Sequence, residues 1–261
     1  MPDDKSSGET REQPPPMGGD VAVIISAKDE QDRIAATVQA AQQLPGVDLV
    51  FVVDDGSADA TARLAEGAGA TVVRLARNRG KGAAMESGAE AVRVLEQHEG
   101  RAEPRHLLFL DADLAETAKA AAPLVDPVRD GTADMAIAVF ATTVKLGGHG
   151  FVVRLSRDGI RRATGWDATQ PLNGQRCLTR AAFEAGLPLA AGFGVETALT
   201  IDLLRKRFRV TEVEVPLAHR ATGTDWRAQV HRAKQFRDVA RALAIRDPAL
   251  TRGVGRFFRS R

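Results

Sequence analysis

An apolar run that ends in two carboxylates sets the strongest constraint on this chain. Residues 106–113 read His-Leu-Leu-Phe-Leu-Asp-Ala-Asp, with one small residue between the acids Asp111 and Asp113. The run has the length and composition of a buried strand. Two neighbouring carboxylates repel each other and stay ionised where something positive joins them, such as a divalent cation with oxygen ligands. The segment therefore predicts a buried strand whose carboxyl end lies beside positive charge.

Two strand-like runs further upstream also lead into acids. Val21–Ile25 leads into Ser26-Ala27-Lys28-Asp29-Glu30, and Leu49–Val53 leads into Asp54-Asp55-Gly56-Ser57. The carboxyl ends of parallel strands share one edge of a sheet, and this is the edge where α/β proteins bind ligands. We therefore expect the three acidic strand ends to lie together and to require a ligand or a metal.

Strand and helix patterns alternate from residue 20 to residue 140. The strand-like runs are Val21–Ser26, Leu49–Val53, Thr71–Leu75, Leu107–Leu110 and Met135–Val139, and the helix-like runs are Glu30–Gln43, Ala58–Ala68, Gly82–Gln97 and Thr117–Arg129. This alternation predicts an α/β fold, Rossmann-like, with a mostly parallel sheet and helices on both faces. Ser57 or Asp59 is expected to cap the second helix.

Beyond residue 140 the regular alternation stops. The segment Phe151–Trp166 places Phe151, Leu155, Ile160 and Trp166 among arginines, which predicts a basic amphipathic helix that packs in the core or touches a membrane surface. A helix pattern over 194–206 and a strand pattern over 209–215 follow, and 225–244 has the pattern of a long basic helix.

Composition narrows the class of protein. The single cysteine, Cys177, excludes an internal disulfide and favours a reducing compartment. Residues 1–19 are rich in Pro, Gly, Ser and charge, which predicts a disordered tail and not a signal peptide. From Ile201 to Arg261 the chain has 15 basic and six acidic residues, so this end is suited to nucleic acid, anionic lipid or a phosphorylated substrate.

A glycine-flanked loop, Asn78-Arg79-Gly80-Lys81-Gly82, follows the third strand and opens a helix. Glycine lets the backbone approach a ligand closely, and a helix N-terminus favours anions. Only a ligand or solvent is expected to use the Lys81 charge. The loop matches neither the Walker A pattern nor Gly-x-Gly-x-x-Gly, so an ATPase and a Rossmann dehydrogenase are poorly supported.

Taken in order, the two acidic strand ends, the Lys81 loop and Asp111-Ala112-Asp113 resemble the family 2 glycosyltransferases of GT-A fold over residues 20 to 220. The resemblance implies a UDP- or GDP-hexose donor and Mg²⁺ or Mn²⁺ on its diphosphate. Asp113 would ligate the metal and take a catalytic role. The implied nucleotide-sugar-binding residues are Ala27, Asp29, Glu30, Asp55, Ser57, Asn78, Gly80, Lys81, Asp111 and Ala112.

The second half resembles a narrower group, the glucosyl-3-phosphoglycerate synthases. Residues 170–175, Gln-Pro-Leu-Asn-Gly-Gln, are similar to their Pro-Leu-x-Gly loop, and 192–196 to their Gly-x-Gly-Val-Glu segment. The polyprenyl-phosphate sugar transferases share the first half. The resemblance implies that Gly174 and Gln175 bind the acceptor, that Glu196 acts as base or positions the sugar, and that His219 is a further metal ligand. Arg176 follows the Gly174 turn in the sequence and is a candidate to bind an acceptor phosphate.

Each of three of these residues also has a purely structural explanation. An acid at a helix N-terminus is favoured by the helix dipole, which would explain Glu196 without catalysis. His219 would be a structural histidine, and Arg176 a surface arginine. The first strand end lacks the usual Pro and Asn of the family, and the segment between Ala141 and Gly165 departs from the phosphoglycerate-binding loop.

These patterns divide the chain into a tail (1–19), a nucleotide-sugar-binding half (20–140), an acceptor-binding half of the same domain (141–222) and a basic C-terminal helix and tail (223–261). The expected function is metal-dependent transfer of a hexose to a phosphorylated acceptor, with polyprenyl phosphate favoured over a small phosphorylated acid. A nucleotidyltransferase and a non-catalytic scaffold are the rivals. We expect a cytoplasmic protein with peripheral contact to the inner face of an anionic membrane and no nucleic-acid partner; a homodimer stays open.

Overall fold

The computed structural model of the chain describes residues 20–140, 150–216 and 226–246, and only the backbone of 226–233. The strands are β1 Val21–Ala27, β2 Val47–Asp54, β3 Thr71–Arg74, β4 His106–Asp111, β5 Met135–Phe140, β6 Arg176–Leu178 and β7 Val210–Val215. The α-helices are α1 Ile34–Ala41, α2 Thr61–Gly67, α3 Lys81–Glu99, α4 Asp126–Arg129, α5 Gly150–Thr164, α6 Arg180–Ala185, α7 Val195–Arg205 and α8 Trp226–Arg246, and 3₁₀ helices span Ala115–Leu124 and Gly192–Gly194.

The described strands form one sheet in the order β3-β2-β1-β4-β6-β5-β7. β1 pairs in parallel with both β2 and β4, and β5 pairs in parallel with β7, whereas β6 runs antiparallel to its two neighbours. The predicted mostly parallel sheet is confirmed, with β6 as its exception. Strands from both predicted halves contribute to this sheet.

The register of the sheet brings the acidic strand ends together. Ala27 of β1 pairs with Asp54 of β2, and Ser26 pairs with Asp111 of β4. The three carboxyl ends therefore lie side by side on one edge, as the sequence predicts. In an open α/β sheet this edge is the place for a ligand site.

The sheet carries an apolar core on each face because side chains alternate along a strand. Val23 and Ile25 of β1 pack on one face with α1, and Ile24 packs on the other face with α3 and α7. Helices on both faces are thus confirmed. A third apolar cluster joins α5, α7 and α8 through Val152, Ile160, Ile201, Val239 and Leu243.

One expectation about local structure is wrong, and of the two predicted capping residues of the second helix only Asp59 bonds to its start. The helix expected over 117–129 is a 3₁₀ helix followed by the short α4, and Pro123 explains the break because proline lacks the amide hydrogen that an α-helix needs. The second helix starts at Thr61, and its first amide donates to Asp59 Oδ1, 2.9 Å away. Ser57 does not cap it, because the Ser57 hydroxyl accepts from the Asp29 amide.

The amphipathic helix is confirmed as α5, which ends at Thr164, so Trp166 lies just beyond it. The apolar residues of this segment divide between the core and the surface. Ile160 is fully buried, while Leu155 and Trp166 pack against the third cluster. Phe151 is 64% exposed. None of the described helices has a stretch both long and apolar enough to cross a bilayer. The expected tail over 1–19 lies outside the described residues.

Candidate active site

Asp55, the residue that follows β2, is hydrogen-bonded to the loop that carries Lys81. The two carboxylate oxygens of Asp55 accept from the amides of Arg79 and Gly80, at 2.6 and 2.8 Å. Asp55 is buried, so this pairing satisfies a carboxylate that would otherwise be costly to bury. Asp55 therefore fixes the start of α3 relative to the sheet edge. The Gly80 amide belongs to this contact, and Asn78 lies exposed on the same loop.

The end of β1 and the loop after β2 are bonded to each other. The Asp29 amide donates to Ser57 Oγ at 2.9 Å, and Asp29 Oδ1 accepts from the Ala58 amide at 2.8 Å. The Glu30 amide donates to Thr61 Oγ1 at 2.8 Å. These bonds tie together the two segments that the sequence assigns to the nucleoside, and they leave the side chain of Asp29 about half exposed.

Lys81 lies between two carboxylates at the centre of this edge. Its Nζ is 2.6 Å from Asp111 Oδ1 and 3.0 Å from Glu196 Oε1. Burial alone would lower the pKa of Lys81, but the two carboxylates outweigh it and raise this pKa above its ordinary value. The expectation that only a ligand or solvent uses the Lys81 charge is wrong, because protein carboxylates use it. The cation links the end of β4 to the first turn of α7.

The loop before β6 closes over this group of charges. Gln175 is fully buried, and its Nε2 donates to Asp111 Oδ2 at 2.7 Å. At Gly174 a Cβ would overlap Lys81 Nζ and lie 2.8 and 2.9 Å from the Asp111 oxygens. Only glycine therefore lets the loop approach so closely. Gly174 and Gln175 thus lie beside Lys81 and Asp111, and Gln175 holds Asp111; their binding of an acceptor stays a prediction.

Asp113 extends beyond the strand end and is the more open of the two acids. Its side chain is 54% exposed, against 32% for Asp111. Arg33 lies 3.7 Å from Asp113 Oδ2 and 3.7 Å from Glu30 Oε2. Burial, and then repulsion from Asp113, raise the pKa of Glu30. Sequence reasoning missed Arg33, because its spacing from Asp113 along the chain gives no sign that sheet pairing makes them neighbours.

The residues at this edge fit a divalent cation bound together with a phosphorylated ligand. Among the described residues no group of three His, Cys, Asp or Glu side chains is placed to hold a metal. Mg²⁺-type sites commonly use one or two carboxylates and take their other ligands from phosphates and water. Asp113, with Asp111 beside it, supplies that donor set. The expected further ligand, His219, lies outside the described residues.

Ala27, Ala112 and Arg176 are further predicted site residues that lie in the interior. Ala27 and Ala112 are buried, and their carbonyls accept from the Asp55 amide and from Thr37 Oγ1 at 2.8 Å. Arg176 is 1% exposed, so it is not a surface arginine. Burial lowers the pKa of Arg176 to about 10, opposed by Glu196.

The guanidinium of Arg176 has partners inside the protein. It donates to the carbonyls of Asn173, Glu196 and Pro171 and to Thr200 Oγ1, at 2.9 to 3.0 Å. A role in binding an acceptor phosphate does not fit this position. Arg176 instead joins the Gly174 loop to the first turn of α7, and so fixes Glu196 relative to Asp111.

Comparisons with known proteins agree with this geometry. The sequence profile described as Glycosyl transferase family 2 matches residues 22–182. Glycosyltransferase AglJ of Haloferax volcanii is 31% identical over 212 residues, which are 78% of this chain and 65% of AglJ. The chain thus spans slightly less than two thirds of that relative.

Two solved structures of glucosyl-3-phosphoglycerate synthase from Mycobacterium tuberculosis share the fold. One, in complex with phosphoglyceric acid, is 26% identical with a TM-score of 0.70 and covers 88% of this chain and 80% of its own. The other, in complex with Mn²⁺, uridine diphosphate and phosphoglyceric acid, is 25% identical with a TM-score of 0.71 and covers 88% and 78%. The predicted GT-A-like α/β fold is therefore confirmed, and the chain belongs to glycosyl transferase family 2.

Proposed function

We propose that the chain transfers a hexose from a nucleotide diphospho-sugar to a phosphorylated acceptor. The observation that carries this proposal is the meeting of Lys81, Asp111 and Glu196 beside Asp113 at the carboxyl edge of a family 2 domain. A cation, an open carboxylate and a second carboxylate within one site are what a reaction with a diphosphate leaving group requires. The family assignment also argues against the rival nucleotidyltransferase function.

The donor is proposed to bind across the ends of β1 and β2. Asp29, Glu30 and Ser57 supply polar groups for the nucleoside, while Asp55 acts by holding the Lys81 loop. The donor is UDP- or GDP-hexose, and UDP is favoured because the synthase structure contains uridine diphosphate. Asn78 is exposed on the same loop, where a nucleotide would meet it.

Asp113, together with Asp111, is proposed to hold a divalent cation such as Mn²⁺ or Mg²⁺. Mn²⁺ is present in the synthase structure with uridine diphosphate. When bound, the cation would neutralise negative charge on the diphosphate. Lys81 contributes a second positive charge at the same place, and its hydrogen bond to Asp111 orients that carboxylate.

The transfer forms a bond between an acceptor oxygen and the anomeric carbon and breaks the bond from that carbon to the diphosphate oxygen. A hydroxyl acceptor must lose a proton, and Glu196, 10% exposed beside Lys81, is our proposed base. A phosphate acceptor is already ionised and needs no base. In that case Glu196 positions the sugar.

For the acceptor we favour polyprenyl phosphate, and a small phosphorylated acid is the second candidate. The exposed arginines on the outer faces of α5 and α8 favour a lipid phosphate. The phosphoglyceric acid bound to the synthase favours the small acid. Both are phosphorylated, so the class of acceptor is the same in the two cases. Cytoplasmic location with peripheral membrane contact belongs to the same proposal.

A donor and acceptor panel tests the function. UDP-glucose, UDP-galactose and GDP-mannose are each incubated with a short polyprenyl phosphate, with 3-phosphoglycerate or without acceptor, in Mn²⁺ or in chelator. We expect release of nucleoside diphosphate and a hexosylated acceptor by mass spectrometry, with Mn²⁺ only. Absence of product from every pair, with a chain shown to be folded, would contradict the proposal.

A further inference from the structure

Helices α5 and α8 place two exposed phenylalanines in contact. The rings of Phe151 and Phe236 stack with centroids 5.4 Å apart and an interplanar angle of 26°. The two residues are 64% and 38% exposed. An exposed pair of stacked aromatic rings is unusual on a protein surface, because part of the apolar area of each ring stays in contact with water.

The two helices lie side by side in the same direction. Phe151 meets Phe236, and eight residues further along α5 Gly159 packs against the Leu243 side chain, seven residues further along α8. The buried faces of both helices enter the third apolar cluster through Val152, Ile160 and Leu243. Their outer faces therefore form one continuous surface with the aromatic pair in it.

This outer surface is basic. We define the aromatic–basic patch as Phe151, Phe236 and the exposed arginines Arg154, Arg161, Arg162, Arg237 and Arg241. Exposed Asp158 also lies on it, and Asp238 pairs with Arg237 at 3.2 Å. Exposed Asp167 pairs with Arg161 at 3.7 Å, so the patch has five arginines against three acids. The charge of the patch is complementary to an anionic surface.

The patch adjoins the candidate active site. Two residues after Phe236, Asp238 Oδ2 accepts from the Phe193 amide at 3.3 Å, and Lys234 lies over the Phe193 ring at 5.8 Å. Gly192 has a φ of +66°, and a Cβ there would overlap the Asp238 carboxylate. α8 therefore packs tightly on the segment that leads into α7 and Glu196.

We propose that the aromatic–basic patch docks the protein on an anionic lipid bilayer, with the two rings in the interface and the arginines at the headgroups. Aromatic rings partition into the interface, and basic residues gain attraction to anionic lipid near the surface. This proposal rests on the proposed function for its purpose, since a lipid phosphate must be reached at a membrane. The docking itself needs neither donor nor acceptor.

Vesicle co-sedimentation of the full chain tests the docking directly. Vesicles of phosphatidylcholine alone and with added phosphatidylglycerol are compared at low and physiological salt. We expect binding to the anionic vesicles that weakens with salt. The double variant Phe151→Ser/Phe236→Ser should lose about tenfold or more in partition, and Arg162→Glu/Arg241→Glu a similar factor.

Matched variants elsewhere on the surface serve as controls. Val94→Ser/Leu187→Ser changes two apolar side chains that are 44% and 42% exposed. Arg63→Glu/Lys119→Glu reverses two exposed charges, one on α2 and one on the 3₁₀ helix Ala115–Leu124. Both should bind vesicles like the unmodified chain. Equal losses in the control and patch variants would overturn the proposal. So would a dimer in sedimentation velocity that Phe151→Ser/Phe236→Ser dissociates without changing vesicle binding.

Transfer assays separate failure of docking from failure of the proposed function. If no variant or unmodified chain binds vesicles while hexose is transferred to a soluble phosphorylated acid, docking is wrong and the transferase proposal stands. If vesicle binding follows the patch but no nucleotide sugar is used with any acceptor, docking stands alone. If the docking proposal and the transferase proposal are both correct, Phe151→Ser/Phe236→Ser lowers transfer to vesicle-borne polyprenyl phosphate and leaves transfer to a soluble acceptor unchanged.

Discussion

The ammonium group of Lys81, at the start of α3, lies 2.6 Å from Oδ1 of Asp111, at the end of β4. The protein therefore carries its own counter-charge for the acidic strand end. Glu196 shares the same cation at 3.0 Å. A diphosphate that enters this site meets Lys81 already oriented, at the cost of sharing it with two carboxylates.

Replacement of Lys81 by alanine should weaken nucleotide binding. The lost charge-assisted hydrogen bond should weaken the free energy of nucleotide binding by about 1–3 kcal/mol. Isothermal titration calorimetry with UDP and Mn²⁺ measures this change. Lys81→Arg should not restore affinity, because Gly174 leaves no space beside Nζ. Lys119→Ala, an exposed lysine, is the control. Equal affinity in Lys81→Ala and the unmodified chain would remove Lys81 from the donor site.

Gly174→Ala should reduce activity more than stability. The added Cβ would overlap Lys81 Nζ and crowd Asp111, and both side chains can move away, so the fold survives while the site is distorted. Gly67→Ala on α2 has open space around its Cβ and should gain about 0.5–1 kcal/mol of unfolding free energy. Paired kinetics and urea unfolding of the two variants measure this. Normal turnover in Gly174→Ala would show that the close approach is unimportant.

The raised pKa of Glu30 predicts how the stability of the fold depends on pH. Its pKa in the folded state is raised by burial and by Asp113, so the native state holds its proton more tightly than the unfolded chain. Stability from Glu30 is then fully present below its unfolded pKa of 4.5 and falls as pH rises through the folded pKa.

Glu30→Gln should therefore unfold at higher denaturant concentration than the unmodified chain at pH 7, and the difference should shrink at pH 4. Urea unfolding at both pH values measures this, and Glu66→Gln on α2 controls for loss of an exposed carboxylate. A variant that is less stable at pH 7 than the unmodified chain would contradict this reading of Glu30.

Arg176→Met should destabilise the fold by about 3 kcal/mol or more, because the carbonyls and hydroxyl that Arg176 bonds are left unsatisfied in the interior. Donor binding per folded molecule should change much less than in Lys81→Ala. Urea unfolding measures the loss of stability, and calorimetry with UDP and Mn²⁺ measures donor binding by the folded variant. A loss confined to acceptor binding, with stability unchanged, would return Arg176 to the role that its sequence motif suggests.

The strand ends were predictable because buried strands are short apolar runs and their following acids are easily seen. β1, β2 and β4 all appear where the sequence predicts them, and parallel pairing makes their ends neighbours. Asp111, Asp113 and Lys81 follow directly from this pattern. The resemblance to family 2 glycosyltransferases then supplied roles that spacing alone does not give.

Features that depend on tertiary contacts were not predictable. β6 has only three residues, too few for a pattern, and its antiparallel insertion turns Arg176 inward. The ion pair of Lys81 with Glu196 joins residues far apart in the chain. Arg33 beside Asp113 and Phe151 beside Phe236 are likewise products of packing.

The rate of metal-dependent hexose transfer by the Asp113→Asn variant is the most direct test of the proposed site. The Asp113 side chain is 54% exposed, so the variant should fold normally. Asp126→Asn, 72% exposed on α4, is the matched control. With a nucleotide sugar and phosphorylated acceptor at saturating Mn²⁺, we predict that Asp126→Asn forms product at the normal rate and that Asp113→Asn loses most of its turnover. Normal product formation by folded Asp113→Asn would contradict the assignment of this edge as the catalytic site.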